Sequence, residues 1–198
     1  MLACGLATHF VHSSKLDSLE EALIQVNTSD PRVLTLVIEE FSHRPSLKEN
    51  TAYNSLHIIN KCFSKGTVEE ILYALETEPV KNDWIFAAIQ TMRKVSPIGL
   101  KVSLSSIRKG RWQTVQQCLV REYRIMAHAL RRDVSKDFFE GCRAIFIEKD
   151  RNPKWEPSVL EVISEEMVEH YFSKVDDVGE YLELFGRPEL PAYAVAKL

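Results

Sequence analysis

Apolar residues recur every three or four positions along most of this chain, which is the spacing of one face of an α-helix. The clearest case follows Asp30-Pro31, where the apolar residues are Val33, Leu34, Val37, Ile38 and Phe41. Asp30 suits a helix N-cap, and Pro31 suits the first helical position, where no backbone N–H is needed. The pattern therefore predicts a helix that starts at Pro31 and buries one face.

The same spacing predicts further helices, some with start signals of their own. Thr67 and Glu70 form a capping box, in which the hydroxyl accepts from the backbone N–H of Glu70 and the carboxylate reaches back. The polar stretch 42–55 is predicted to be a loop. The other helices are expected between Ser14 and about Val26, over Leu56 to Phe63, after Thr67, and over about 82–94, 97–109, 112–132 and 135–149.

One segment has the character of a β-strand. Leu6–Val11 is a short apolar run that contains β-branched and aromatic residues. His9 and His12 lie three positions apart, which on a strand places their side chains on opposite faces, so we expect no metal shared between them. The predicted fold class is mainly α, with one short N-terminal strand.

The predicted helix that starts at Trp112 carries an anomaly. Its apolar stripe is formed by Trp112, Val115, Leu119, Met126, Ala129 and Leu130. Glu122 falls in the gap within this stripe, and a carboxylate on a buried face requires partners. One interpretation is a general base and the other is a buried ion pair, which we favour; Arg121, Arg124, Arg143 or Lys101 would serve as its partner.

Composition excludes several classes of protein. The 198 residues are 45% hydrophobic and 27% charged, with a formal net charge of −3, which is typical of a soluble globular domain and gives no general affinity for nucleic acid. No apolar run approaches the roughly 20 residues needed to cross a bilayer. The four cysteines are widely spaced, which favours a reducing compartment and small buried side chains over disulfides or a thiolate metal site.

Charge is segregated along the chain. Between Lys101 and Arg132, eight basic residues face one acid, Glu122. Between Glu156 and Glu189, ten acids face two basic residues. The basic stretch either binds phosphates or pairs with an acidic tail that folds back on it, and the sequence leaves both interpretations open. Nucleic acid is disfavoured, because stacking aromatic residues are not interleaved with the basic ones.

Familiar catalytic patterns are missing from the sequence. It contains no G-x-S-x-G elbow, no glycine-rich phosphate loop and no H-E-x-x-H. His43, His57, His128 and His170 are isolated in the sequence. These patterns alone predict a helical domain without a recognisable active site.

The stretch KDRNPKWEP (149–157) sets Trp155 between two prolines, and we expect this residue to anchor the segment by packing on the helices. It belongs to a series of strings in fixed order: GLATHFV (5–11), INKCFSKGTVEEIL (59–72), SPIGLKVSLSSIRKG (96–110), CLVREYR (118–124), DFFEGCRAIFIEKDRNPKWEP (137–157) and YF (171–172). The series closely resembles the C-terminal half of the 3-hydroxyisobutyryl-CoA hydrolases, a branch of the crotonase (enoyl-CoA hydratase) superfamily. KDRNPKW is the string typical of that branch.

The resemblance implies a fold and an activity. The crotonase fold is a spiral of ββα turns followed by a helical C-terminal region. We therefore expect residues 1–14 to be the last strand segment of the crotonase core, 15–175 the helical region and 176–198 an acidic, flexible tail. The implied activity is hydrolysis of a CoA thioester in valine breakdown, with no cofactor beyond the CoA of the substrate.

The resemblance also implies which parts of the family pattern this chain holds. The loops of the oxyanion hole and the catalytic carboxylates lie upstream of GLATHFV in that family. We therefore expect the chain to correspond to a C-terminal fragment, with no catalytic residue among its matched positions and no thioester hydrolysis by itself. The alternative is a non-catalytic helical assembly or binding module that self-associates or pairs with crotonase-family subunits.

Two further sites follow from the resemblance. Crotonases place residues near the end of this helical region beside the adenine of CoA, which here implies Phe146 over the base and Lys149 at a phosphate; the alternative is a core phenylalanine and a solvated helix end. The terminal Ala196, Lys197 and Leu198 resemble a peroxisomal targeting signal read by an import receptor. We therefore expect a peroxisomal location, with the cytoplasm as the alternative.

Overall fold

The computed structural model describes residues 1–46, 51–80, 82–175, 182 and 184. These residues are mainly α-helical, which confirms the predicted fold class at that level. They divide into two compact units, of which the first ends at Leu56 and the second begins at His57.

The first unit contains helices α1 (Leu16–Val26) and α2 (Pro31–Phe41), which pack against each other, and short 3-10 turns at Leu2–Cys4, Ser13–Lys15 and Ala52–Ser55. The Asp30 carboxylate accepts from the backbone N–H of Arg32 at 2.9 Å, and Pro31 is the first helical residue, so the predicted helix start is confirmed. Neither helix buries a side chain fully. The face predicted to be buried is therefore half-buried at most, and Val33 on it is exposed.

The predicted strand over Leu6–Val11 is not formed. Among the described residues this segment makes one isolated antiparallel bridge, between Val11 and Ser42, accompanied by a hydrogen bond from the His43 N–H to the Phe10 carbonyl. A strand requires a ladder of such bonds with a neighbour, and one bridge does not extend into a ladder. The prediction of a strand over Leu6–Val11 is therefore wrong.

The second unit has its first core cluster between three helices, α3 (Leu56–Phe63), α4 (Val68–Glu76) and α5 (Asp83–Lys94). The buried members of this cluster are Ile58, Cys62, Ile71, Leu75 and Ile85. Helix α4 starts with the predicted capping box, in which Thr67 and Glu70 bond each other's backbone N–H groups. Cys62 is fully buried, as expected of a cysteine that acts as a small apolar residue, and burial raises the pKa of its thiol.

A second core cluster joins α6 (Pro97–Gly110), α7 (Val115–Arg131) and α9 (Glu165–His170), the last preceded by a 3-10 turn at Leu160–Val162. Its buried members are Ile98, Val102, Ile163, Val168 and Tyr171. Ile125 and Ala129 of α7 pack against it from one side. The cluster thus packs α9 against α6 and α7, the helices that carry the basic stretch between Lys101 and Arg132.

The helix predicted over 135–149 is shorter than expected. Helix α8 covers Asp137–Cys142, and the chain then widens into a π-helical turn over Arg143–Ile147. After this turn Lys149 and Arg151 adopt left-handed backbone angles, with φ of 58° and 53°. Such angles end a helix, and non-glycine side chains adopt them infrequently.

The apolar stripe predicted on the helix from Trp112 faces outward. Helix α7 begins only at Val115, because Thr114 and Gln117 form a capping box there, and Trp112 lies outside it with 82% of its surface exposed. Four stripe residues on α7 are also exposed: Val115, Leu119, Met126 and Leu130. Only Ala129 of the stripe contributes to the second core cluster. The helix turns its other side to the core.

This orientation explains Glu122. Its carboxylate accepts from the Ser106 hydroxyl at 2.6 Å and pairs with the Arg121 guanidinium at 3.1 Å. These two groups hold the pKa of Glu122 below its usual range. The ion pair favoured from sequence is present, but the buried partner is Arg121, whereas Glu122 is 56% exposed at the side chain. Within the described ranges, no helix combines the length and apolarity required to span a membrane.

Candidate functional site

The π-helical turn over Arg143–Ile147 presents apolar side chains to solvent. Ile145, Phe146 and Ile147 expose 58%, 71% and 74% of their surface. Lys149, two residues further along, is also exposed. Turns of this type are rare and concentrate at functional sites. Phe146 is therefore not the core residue of the alternative interpretation, and it lies close in sequence to a cation.

Arg143 anchors this turn through its guanidinium. Nε and Nη2 donate to the two carboxylate oxygens of Glu140 at 2.9 and 2.7 Å, which is a bidentate pair. Nη1 donates to Glu148 and, at 2.7 Å, to Asp150. Nη2 also donates to the Asn152 carbonyl at 3.2 Å. One side chain therefore binds the helix before the exposed turn and the loop after it.

Glu140 completes the anchorage from α8. It accepts from the backbone N–H of Lys154 at 2.7 Å as well as from Arg143. The Arg143 guanidinium, together with that N–H, lowers the pKa of Glu140 to about 2. The backbone N–H of Asn152, followed by Arg143, likewise lowers the pKa of Asp150. Glu140 and Asp150 are therefore ionised acceptors near neutral pH, which suits a structural role.

Trp155 packs on the same helix from the other end of the loop. Its indole Nε1 donates to the Lys94 carbonyl at 2.9 Å, and its ring lies over Gly141, where an added Cβ would be 3.5 Å from Cη2. The anchoring role predicted from sequence agrees with this position. The Trp155 side chain is half-buried in this position.

Asp137 is a structural residue that the sequence reasoning missed. Its buried carboxylate accepts from the Ser96 hydroxyl at 2.6 Å and from the backbone N–H of Glu156 at 2.9 Å. Ser135 donates to the Glu156 carbonyl at 3.0 Å. The signal was the DFFEG string itself, in which Asp137 and Glu140 lie one helical turn apart and so face the same loop.

Two lysines of the basic stretch are paired with acidic residues, and one of these pairs, Lys109–Glu169, is of the kind expected if the acidic stretch folds back. Lys109 contacts both carboxylate oxygens of Glu169, at 2.7 and 2.6 Å, from above the ring of Phe172. Lys101 pairs with Glu69 at 2.8 Å and donates to the Ile163 carbonyl. These lysines are therefore engaged within the protein and are poorly placed to hold a phosphate.

Two histidines that are isolated in the sequence lie together in the structure. The buried His128 donates from Nδ1 to Asp133 Oδ2 at 2.7 Å, and His170 Nε2 lies 3.5 Å from the same oxygen. The ring centroids of the two histidines are 4.7 Å apart. The His128 hydrogen bond lowers the pKa of Asp133. No local spacing reveals this cluster, because folding brings α9 to the end of α7.

Comparison with known proteins identifies the family. Residues 1–172 match the family described as enoyl-CoA hydratase/isomerase. The chain belongs to this family. A 3-hydroxyisobutyryl-CoA hydrolase 1 of Arabidopsis thaliana is 50% identical to it over 200 residues, which are 100% of this chain and 53% of that protein. A small ribosomal subunit protein of the same plant is 39% identical over 189 residues, with 93% of this chain and 46% of that protein covered.

The structural comparison supports the same assignment. The chain resembles a carnitinyl-CoA dehydratase from Mycobacterium thermoresistibile with a TM-score of 0.67 and 29% identity, over 88% of this chain and 47% of that one. The chain, mainly helical in its described residues, is thus similar to crotonase-family proteins of known structure, and the resemblance stated from the sequence strings is confirmed. The chain spans about half the length of the curated relatives it matches.

The expected peroxisomal location is contradicted by the relatives. The 3-hydroxyisobutyryl-CoA hydrolases of human and zebrafish, and hydrolase-like protein 1 of Arabidopsis thaliana, are all named as mitochondrial. A three-residue ending is a short signal that occurs by chance, which is the reason the expectation failed. Ala196, Lys197 and Leu198 lie outside the described residues.

Proposed function

We propose that this protein acts as a 3-hydroxyisobutyryl-CoA hydrolase in valine breakdown, cleaving the thioester with water to 3-hydroxyisobutyrate and free CoA. The proposal extends to this chain the activity for which its plant relatives at 50% identity are named. In it, the helical region over 15–175 supplies the contact with the nucleotide end of CoA. No cofactor other than the CoA carried by the substrate takes part.

The exposed turn over Arg143–Ile147 is the observation that carries the CoA contact. An adenine ring that covers Phe146 removes from water a side chain that is 71% exposed in this structure. Lys149 supplies an ammonium group for a phosphate oxygen, as a charge-assisted hydrogen bond requires. The Arg143 anchorage holds the turn in place before the ligand arrives, which lowers the entropy lost on binding.

CoA binding to the full chain tests this contact. Isothermal titration with CoA and with 3′-dephospho-CoA is measured for the wild type, Phe146→Ala and Lys149→Gln. We expect Phe146→Ala to weaken both ligands by about tenfold, since a stacking contact is worth about 1–3 kcal/mol. Lys149→Gln is expected to weaken the binding of CoA more than the binding of 3′-dephospho-CoA, which lacks the 3′-phosphate.

Two matched variants serve as controls. Phe86 is a phenylalanine on α5 with 67% exposure, and Lys15 is an exposed lysine of the first unit. Phe86→Ala and Lys15→Gln are expected to leave both affinities unchanged. Equal losses in the control and site variants, or no loss at Phe146 and Lys149, would refute the assigned contact.

Thiol release from 3-hydroxyisobutyryl-CoA tests the catalytic part of the proposal. The assay is run on the protein isolated from its own cells and, in parallel, on the recombinant chain. Release by the isolated protein supports the hydrolase, whereas none is expected from the recombinant chain, whose matched strings contain no catalytic residue. If neither preparation releases thiol while both still bind CoA, hydrolysis by this protein is excluded.

A second candidate function is a non-catalytic assembly module that pairs with crotonase-family subunits. Two observations favour it: the outward apolar stripe on α7, and the 39% identity to a protein named as part of a small ribosomal subunit. The two functions differ in their dependence on CoA. An assembly module keeps its partner when Phe146 is changed to alanine and loses it when the α7 stripe is made polar.

A further inference from the structure

Three side chains with metal-binding atoms converge at the end of α7. They are His128 on that helix, Asp133 just after it, and His170 at the end of α9. One ligand atom from each residue lies within 4.8 Å of the other two. All three belong to the second unit, and none takes part in the proposed CoA contact.

We propose that His128, Asp133 and His170 form a binding site for a divalent transition-metal ion of the Zn²⁺ type. Two imidazole nitrogens and one carboxylate oxygen suit Zn²⁺, Co²⁺ and Ni²⁺. Mg²⁺ and Ca²⁺ instead require mostly oxygen ligands. Three protein ligands leave the fourth tetrahedral position to water.

The three ligand atoms, which lie within 4.8 Å of one another, would need to shift by up to about 1.5 Å relative to each other. Tetrahedral coordination at about 2.0–2.1 Å separates neighbouring ligand atoms by about 3.3 Å. His170 Nε2 and Asp133 Oδ2 are already 3.5 Å apart. His128 Nδ1 and Asp133 Oδ2 are 2.7 Å apart, and a metal opens this pair as it replaces the proton between them. Asp133 follows the end of α7 and its side chain is 29% exposed, so solvent-facing space is available for this adjustment.

The far side of His128 has the support that metal-bound histidines usually have. Its other ring nitrogen, Nε2, faces the Ser173 carbonyl at 3.3 Å. A hydrogen bond from Nε2–H to this carbonyl fixes the ring and directs Nδ1 toward Asp133 and His170. The ring is also buried, with 4% exposure, so it is held by packing before any metal binds. Access from solvent is on the His170 side, where the side chain is 46% exposed.

A metal at this position joins the end of α7 to the end of α9. These helices meet at the second core cluster, to which Val168 and Tyr171 contribute. Because the site requires both helices in place, the ion binds the folded state and raises its stability. The role of the metal ion is structural, and its test does not depend on whether the protein binds CoA.

Zn²⁺ titration of the metal-free full chain tests the site. After treatment with a chelator and dialysis, Zn²⁺ is added in a calorimeter, and thermal unfolding is followed with and without the ion. We expect one equivalent to bind and the melting temperature to rise, an effect that fresh chelator reverses. Co²⁺ in place of Zn²⁺ is expected to give visible absorption bands of tetrahedral coordination. No binding and no rise in melting temperature would overturn the proposal.

Variants assign any binding to these residues. His170→Ala and Asp133→Asn are each expected to weaken Zn²⁺ at least about tenfold. Because the His170 side chain is partly exposed, His170→Ala is expected to fold, and the melting temperature of the metal-free variant verifies this. His57→Ala removes an exposed histidine elsewhere in the same unit and is expected to change nothing. Unchanged affinity in His170→Ala would place the ion elsewhere and refute the site.

Discussion

The indole of Trp155 donates a hydrogen bond to the main-chain carbonyl of Lys94, 61 positions earlier in the sequence and 2.9 Å away. Lys94 is the last residue of α5, so this carbonyl has no partner within its own helix. The bond therefore satisfies a helix end and attaches the loop over 149–157 to a different element. The ring simultaneously covers Gly141 of α8.

Replacement of Trp155 by alanine is expected to destabilise the fold. The loss should be about 3 kcal/mol, at the low end of the range for buried aromatic residues, because the ring is only half-buried. Trp155→Phe keeps most of the packing and loses only the hydrogen bond, so it should cost about 1 kcal/mol. Urea unfolding measures both values. Equal stability of Trp155→Ala and wild type would show that the ring is not an anchor.

The Glu140–Arg143 pair predicts a specific dependence on pH. The pKa of Glu140 is lowered to about 2 in the folded state, from about 4.5 in the unfolded chain. A lowered folded-state pKa contributes stability above the unfolded value, and that contribution is lost as the pH falls toward the folded value. The stability difference between wild type and Glu140→Gln should be constant above pH 5 and narrow steadily between about 4.5 and 2.

Urea midpoints of both proteins, measured at intervals from pH 7 to pH 3, test this expectation. The comparison removes the contribution of the other carboxylates, which titrate in both proteins. Glu165→Gln provides the matched control, because Glu165 is an exposed glutamate in the first turn of α9. A difference that stays constant down to pH 3 would mean that Glu140 is not held by Arg143.

Asp137 is expected to contribute strongly to the stability of the fold, because its carboxylate is a buried hydrogen-bond acceptor. Asp137→Ala leaves the Ser96 hydroxyl and the Glu156 N–H without their acceptor in a buried place, at a cost of about 2–3 kcal/mol. Asp83→Ala, at an exposed position in the first turn of α5, should cost less than about 1 kcal/mol. Denaturant unfolding of the two variants should separate them clearly. Similar losses would contradict the role assigned to Asp137.

The outward stripe on α7 predicts self-association. Val115 and Leu119 expose 77% and 50% of their surface and lie one turn apart, next to the exposed Trp112. Contiguous apolar surface of this kind marks an interaction face. Sedimentation velocity should show concentration-dependent association of the wild type that Val115→Gln with Leu119→Gln abolishes. Ile24→Gln, at a site 70% exposed on α1, should not have this effect. A monomeric wild type at high concentration would refute the prediction.

The sequence predicted the helices better than it predicted what they bury. Capping residues such as Asp30 and Thr67 are local signals, so the starts of α2 and α4 were found. The α7 stripe has a correct period, but a period does not reveal whether a face meets a core or solvent. The prediction of a strand over Leu6–Val11 was wrong for a similar reason. A strand requires a neighbouring strand, and the sequence of the segment itself does not show whether one is present.

The residues of the candidate site were also predicted from the sequence only in part. Phe146 and Lys149 were named from a resemblance, and their use in CoA binding stays a prediction. Arg143 was proposed only as a possible partner of Glu122, and its real contacts with Glu140 and Asp150 follow from the π-helical turn, which no sequence pattern predicts. The His128–His170 contact is non-local and invisible to spacing rules.

Asp137 and Glu140 hold alternate backbone N–H groups of one loop, those of Glu156 and Lys154. The loop contains Lys149, Arg151 and Lys154, so by composition it is a place where trypsin would cut first. A protease must draw several residues of extended chain into its cleft, and two carboxylates on α8 prevent that while the helix is folded. Limited digestion should therefore spare this basic loop until the domain as a whole unfolds.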